Sequence, residues 1–353
     1  MSPSRPPHAL LLHHLRLVLC ALLWLFASTA SSAAPAPVDA LPDQASAITP
    51  AAGEALGHRP WAMVLCKFAD VPAEPAPLSY HQQLFAGPAP SIADYWREAS
   101  YGQLDLTGSV VRGWYTLPRP RAAYLTEPPP LTANLALLKS DCLAAADADL
   151  FYPSFAGVAM VFNAETDGAA RGGCGQRTTL DGVEQVYGFT YLPSAQPLSV
   201  GLTIHEMSHA FCLGHSGSSY DTVENGGGPI GSTASLTALT PSFSKHVHPN
   251  AYHKQVLGWL PDARVVTVPW GTERAVDIER LANPGPQGAL LVRVEHATAA
   301  HQYLTLETRL SAGYEAFQDT NPYLDRAGVV MHAIDTTRAN GYARSGTAMA
   351  VDT

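Results

Sequence analysis

The apolar positions of the chain form short runs whose spacing changes between strand-like and helix-like. Ile92, Tyr95 and Trp96 have the i, i+3, i+4 spacing of one buried helical face, and Ser91 precedes them as a capping residue. A second helical pattern covers residues 131–150. Because strand-like and helical runs interleave, the pattern predicts an α/β (α+β) fold with a twisted mixed sheet. The strand-like runs lie at residues 61–68, 104–111, 157–162 and 185–192.

The segments around these runs predict two loops, and the pattern of apolar positions changes after Gly258. The prolines of residues 72–90 predict one loop, and the glycines around Cys174 predict another. After Gly258 only short β-type runs remain, so we expect one folded part at residues 59–260 and a β-rich C-terminal part at residues 261–353. The runs of the C-terminal part lie at residues 265–268, 290–294, 303–307 and 329–332.

The N-terminus has the composition of a secretory signal peptide. A basic, Pro-rich start is followed by an apolar run at residues 17–27 and then by small residues. We expect residues 1–34 to be the signal peptide and residues 35–58 to be a linker or a short pro-segment. This predicts a secreted protein, extracellular or periplasmic, without stable membrane association after signal cleavage. An uncleaved membrane anchor is the alternative.

Composition and charge narrow the classes of partner. Of the 353 residues, 46% are hydrophobic and 14% are charged, which is enough to build a sizeable core. The formal net charge is -9, and Lys and Arg are scattered along the chain. A basic surface for nucleic acid or for an anionic membrane is therefore not expected.

Four cysteines remain once the signal peptide is removed, an even number in a chain bound for an oxidising compartment. We expect one or two disulfides. The predicted pair is Cys142 with Cys174, since a helix and a Gly-rich loop can approach without strain. Cys66 and Cys212 are either a second bridge or small buried hydrophobic residues.

The histidine spacing at residues 205–215 carries the chemistry of the chain. His205 and His209 are four residues apart, so a helix presents both imidazoles on one face, with Glu206 beside them. His215 follows after a turn. Three neutral imidazoles leave one tetrahedral position open for water, which is the coordination of a catalytic zinc site. The predicted metal ligands are therefore His205, His209 and His215, and the predicted cofactor is Zn²⁺.

An open zinc position beside a carboxylate indicates peptide hydrolysis. Zinc lowers the pKa of the water that it binds towards about 7, and Glu206 can accept the proton as general base and pass it to the leaving amine. The expected function is a zinc metalloendopeptidase acting on protein or peptide substrates. Ser199 or Thr203 can cap the helix that carries the motif.

The eleven-residue pattern resembles the metzincin superfamily of zinc peptidases. Residues 91–108 and 113–118 are similar to the segment before the metal helix in the immune-inhibitor-A-like and gametolysin-like families, and residues 252–260 and 303–309 are similar to their downstream segments. The similarity spans about residues 60–335. It implies a metzincin-like catalytic domain at residues 59–260, in which the metal helix crosses under the sheet. It also implies that Glu206 is the catalytic acid/base and that the three histidines are the zinc ligands.

Two positions depart from that superfamily. Cys212 stands where the superfamily usually has a Gly with positive φ, and a side chain there costs on the order of 1 kcal/mol unless Gly214 takes over part of the turn. The chain also lacks the Met that packs beneath the metal in this superfamily, so we expect Val223 or a neighbour to fill that apolar position. These departures keep two alternatives open: an inactive zinc-binding relative, and a secreted binding module.

Other residues are weaker candidates for the same site. Three further histidines could be ligands, two tyrosines could stabilise an oxyanion, and two carboxylates before a Gly run could bind calcium. These candidates are His246, His248, His253, Tyr220, Tyr252, Asp221 and Glu224.

Overall fold

The computed structural model of the chain describes residues 55–126, 131–213, 248–310, 312–317, 328–336 and 342–345. The predicted signal peptide and most of the predicted linker lie outside these ranges. The α-helices are α1 (Leu78–Ala86), α2 (Ile92–Ala99), α3 (Leu135–Ala146), α4 (Val200–Ala210) and α5 (Ala251–Val256). The strands are β1 (Gly57–His58), β2 (Trp61–Lys67), β3 (Leu104–Asp105), β4 (Val110–Thr116), β5 (Leu125–Thr126), β6 (Thr132–Ala133), β7 (Gly157–Phe162), β8 (Arg171–Leu180), β9 (Val183–Pro193), β10 (Val265–Val268), β11 (Leu291–Glu295), β12 (Gln302–Arg309), β13 (Gly328–Asp335) and β14 (Tyr342–Ser345).

A five-stranded mixed sheet forms the centre of the first part, which confirms the predicted α/β class. The strand order is β4-β2-β7-β9-β8, and every neighbouring pair is parallel except the antiparallel pair β8 and β9. The sheet is covered on both faces, so alternate residues of β2 enter two different cores. Met63 and Leu65 pack with α2 and α4, whereas Val64 and Cys66 pack with α3.

The structure corrects the two loops expected in this part. Residues 78–86 form α1, because Pro77 precedes the helix as its N-cap residue and Phe85 is buried on its inner face. The Gly-rich residues before Leu180 form β8, a strand of 10 residues paired with β9. Glycine is required at one point of β8, because a Cβ on Gly172 would overlap the backbone oxygen of Glu206 in α4.

The cysteine pairing also differs from the expected one. Cys66 of β2 and Cys142 of α3 form a disulfide, so the predicted pair of Cys142 with Cys174 is wrong. Both cysteines are fully buried in the core between α3 and the sheet, where α3 packs on β2. Cys212 is disulfide-bonded as well, so neither Cys66 nor Cys212 is only a small buried hydrophobic residue.

We predict that mass spectrometry of a non-reduced digest will detect the peptides of Cys66 and Cys142 linked to each other. Replacing both residues by Ala should lower the free energy of unfolding by about 2 to 4 kcal/mol, because the unfolded chain loses a long cross-linked loop. Urea unfolding of the oxidised protein and of the double variant measures this difference. Free thiols at both positions would contradict the pairing.

A second five-stranded sheet, in the order β10-β11-β12-β13-β14, follows in the C-terminal part. It contacts the first part through buried charges. The Glu307 carboxylate of β12 accepts a hydrogen bond from the backbone N–H of Ala251 in α5, and the Arg309 guanidinium donates to the carbonyl of His248 at 3.2 Å. Arg309 of β12, which is 1% exposed, pairs with Glu307 and with Glu315.

In the part of the chain that the structure describes, no helix combines the length and the apolar character needed to cross a membrane.

Candidate metal centre

The helix that carries the histidine motif begins and ends with defined caps. Ser199, one of the two expected caps, accepts a hydrogen bond from the backbone N–H of Leu202 at 3.2 Å. At the other end the N–H groups of Cys212 and Leu213 donate to the carbonyls of His209 and Ser208, at 2.9 and 3.0 Å. This pair of bonds is a Schellman motif. The termination of α4 is therefore fixed within the motif itself.

Cys212 is the residue that turns the chain at the end of α4. Its φ is 65°, in the left-handed region where the Schellman motif usually has Gly. The expectation that this position needs a positive φ is confirmed, and the side chain there costs on the order of 1 kcal/mol. The same residue is disulfide-bonded. Gly214, the alternative turn residue, lies outside the described residues.

The two imidazoles of α4 face each other as two ligands of one metal would. Nε2 of His205 and Nε2 of His209 are 3.1 Å apart, and the ring planes are nearly perpendicular. Two nitrogens bound at about 2.0–2.1 Å to one tetrahedral zinc lie about 3.3 Å apart. One ligand atom each from His205, Glu206 and His209 lies within 4.8 Å of the others. This group can therefore hold a metal ion.

The Schellman turn also sets the tautomer of the neutral His209 ring. Its Nδ1 lies 2.8 Å from the backbone carbonyl oxygen of Leu213. A carbonyl oxygen only accepts, so Nδ1 carries the proton and donates it, and the neutral ring keeps a lone pair on Nε2. Nε2, the nitrogen that lies 3.1 Å from Nε2 of His205, is thereby left available to a metal ion.

Glu206 lies beside the histidines and is only 5% exposed. Burial raises the pKa of its carboxyl to about 8, while the positive charge of Arg171 and a hydrogen bond from the backbone N–H of Gly172 oppose the rise. A bound divalent cation would also oppose this rise, because its charge favours the ionised carboxylate. The Gly172 contact exists because a residue without Cβ lets β8 approach α4 closely.

The three residues of the metal group open into a cleft of about 1210 Å³. The cleft runs from α4 past the edge of β8 to the start of α3. The sequence did not single out the residues on its far side. The glycines before Cys174 are a local indication of this region, but they predict a loop, whereas the structure has the strand β8 there. The polar lining residues beyond the metal group are Lys139, Glu165, Arg171, Gln176 and Ser194.

Some of the remaining candidates lie in the described residues and the others lie outside them. His248 is buried away from the metal group, with its Nε2 3.2 Å from the Glu98 carboxylate. His253 is buried in α5. Burial, and to a smaller extent the nearby His332 and His209 imidazoles, lowers its pKa to about 3, so it is a neutral neighbour of the site. Tyr252 packs against Tyr303. Six residues lie outside the described ranges: His215, Tyr220, Asp221, Val223, Glu224 and His246.

Comparison of the chain with protein-family models gives no match, and a search of curated proteins also finds none.

Proposed function

We propose that the protein is a secreted zinc-dependent endopeptidase with a metzincin-like catalytic domain. One observation carries the proposal. A buried carboxylate, Glu206, stands beside two imidazoles whose Nε2 atoms are 3.1 Å apart, and the three side chains open into a cleft large enough for a peptide. A structural zinc site closes all four positions with protein ligands and has no need of a general base beside them.

The roles of the residues follow from their positions. His205 and His209 would hold the zinc, and the sequence spacing gives His215 as the third ligand. When bound, zinc supplies a Lewis acid that polarises the scissile carbonyl and acidifies water. Glu206 accepts the proton of the attacking water and passes it to the leaving amine. Its burial keeps competing solvent away from the carboxylate, and the Gly172 N–H orients it.

Secretion is supported by two independent features. The N-terminal segment has the order of a signal peptide, and the fold contains a buried disulfide between Cys66 and Cys142. Structural disulfides persist mainly in extracellular, periplasmic and other oxidising compartments.

We expect about one zinc to co-purify with each chain, because three imidazoles without a redox-active partner suit zinc best. Removing the metal with a chelator should abolish digestion of casein, and adding zinc back should restore it. Metal analysis by mass spectrometry, run beside the digestion assay, measures both quantities. A fully active preparation without metal would refute the proposal.

An inactive zinc-binding relative is the second candidate. It is favoured by Cys212 at the turn and by the lack of a Met in the segment after the ligands. A binding module dominated by the β-rich part is a third. Zinc-loaded protein that digests neither casein nor peptides would replace the endopeptidase by the inactive relative. Protein that neither binds zinc nor digests them would favour the binding module.

A further inference from the structure

One charged side chain of the cleft is not used by the proposed chemistry. Lys139 lies on α3 and reaches into the same cleft as the metal group. Its Nζ donates to the side-chain oxygen of Gln176 at 2.9 Å and lies 4.6 Å from the centre of the Phe189 ring. Contacts with β8 and with β9, the two strands of one hairpin, therefore fix the direction of the side chain.

The charge of Lys139 has no protein carboxylate to balance it within the described residues, where its polar partner is the Gln176 amide. The ammonium is only partly exposed, and burial lowers its pKa. An ammonium that is partly removed from water without a counter-charge is destabilised. An anionic group entering the cleft would remove that penalty and could use the donors of Nζ that Gln176 leaves available.

The other two charged residues that line the cleft beyond the metal group, Arg171 and Glu165, do not have an unbalanced positive charge that could bind an anion. The Arg171 guanidinium forms two parallel hydrogen bonds, at 2.8 and 2.7 Å, with the carboxylate of Asp167, whose side chain is 2% exposed. Its charge is therefore already matched. Glu165 has the opposite sign and is exposed, so water screens it. Lys139 is the lining cation that is left to recognise a ligand in the described part of the cleft.

We propose that Lys139 forms a subsite for acidic side chains, in which its ammonium binds the carboxylate of an Asp or Glu of a peptide lying in the cleft. The inference rests on the proposed endopeptidase function and names its substrate class. The cleft of about 1210 Å³ passes around β8, the edge strand of the sheet, from the face that carries α4 to the face that carries α3. A peptide lying across this edge would therefore pass both the metal group and Lys139.

The test uses the zinc-loaded full chain and a set of blocked octapeptides in which each central position carries Glu, Gln or Lys in turn. At one position the wild type should cleave the Glu peptide about tenfold faster in kcat/KM than the Gln peptide, as expected for a charge-assisted hydrogen bond. Lys139→Met should reduce this Glu-over-Gln preference to about twofold or less. Lys139→Glu should prefer the Lys peptide at the same position.

The control variant is Lys67→Met. Lys67 pairs with Glu74 at 2.8 Å, and neither residue lines the cleft, so its removal should leave the preference unchanged. Circular dichroism and zinc content verify that each variant is folded. A Glu preference that survives in Lys139→Met, or no Glu preference in the wild type, overturns the subsite.

Failure of the peptidase proposal would be visible separately. If the wild type cleaves none of the octapeptides, titration calorimetry of the Glu and Gln peptides into wild type and Lys139→Met decides the subsite. Tighter binding of Glu peptides by the wild type alone supports it. Equal binding by both proteins overturns it.

Discussion

Replacing Glu206 by Gln is expected to lower peptide hydrolysis at least about a hundredfold while zinc stays bound, because a general base contributes on the order of 10²- to 10⁴-fold. The amide keeps the size of the side chain and still accepts the Gly172 N–H, but it cannot take a proton from water. The loss should therefore appear in kcat with little change in KM. Steady-state cleavage of a peptide substrate and metal analysis of the same sample measure both effects.

His209→Ala is the matched contrast on the same helix face. It removes the nitrogen that lies 3.1 Å from Nε2 of His205, so both the metal and the activity should be lost. Glu206→Gln should stay inactive when zinc is added, and the metal content then distinguishes a missing base from a missing ligand. Near-normal proteolysis by Glu206→Gln would show that α4 does not carry the active site.

Arg309→Met is expected to lower the free energy of unfolding by about 3 to 5 kcal/mol, because it leaves buried carboxylates without their counter-charge. Arg309 pairs with Glu307 at 2.7 Å and with Glu315, and all three side chains are at most 1% exposed. Burial raises the pKa of the Glu307 carboxyl, but the positive charge of Arg309, the nearby His332 imidazole and a hydrogen bond from the backbone N–H of Ala251 together lower this pKa to about 2. Without the guanidinium the pKa of this carboxyl should rise. Urea unfolding followed by circular dichroism measures the free energy.

Arg177→Met is the control for this substitution. Arg177 pairs with Glu184 at 3.1 Å, but the two side chains are 69% and 58% exposed, so the change in stability should stay below about 1 kcal/mol. Adding Glu307→Gln and Glu315→Gln to Arg309→Met should recover part of the loss, since amides need no counter-charge. If Arg309→Met is as stable as wild type, the buried network does not stabilise the contact between the two parts of the chain.

The sequence by itself determined those features that depend on neighbours a few residues apart. The cap of α4, for which Ser199 is one of two candidates, and the placing of two imidazoles and a carboxylate on one helix follow from local spacing. The buried strands β2 and β7 were predicted for a related reason. A strand covered on both faces must be apolar at successive positions, and that run is visible without knowing what covers it.

Only the tertiary structure decided which distant segments meet. Gly172 lies in a strand because α4 and β9 pack against it, and this overrides the loop preference of glycine. Cys142 pairs with Cys66 because α3 lies on the face of the sheet to which that cysteine of β2 points. The environment of Lys139 likewise combines one helix with two strands. Such contacts depend on how whole elements pack, and the identity of a packing partner leaves no periodic trace in the sequence around a residue.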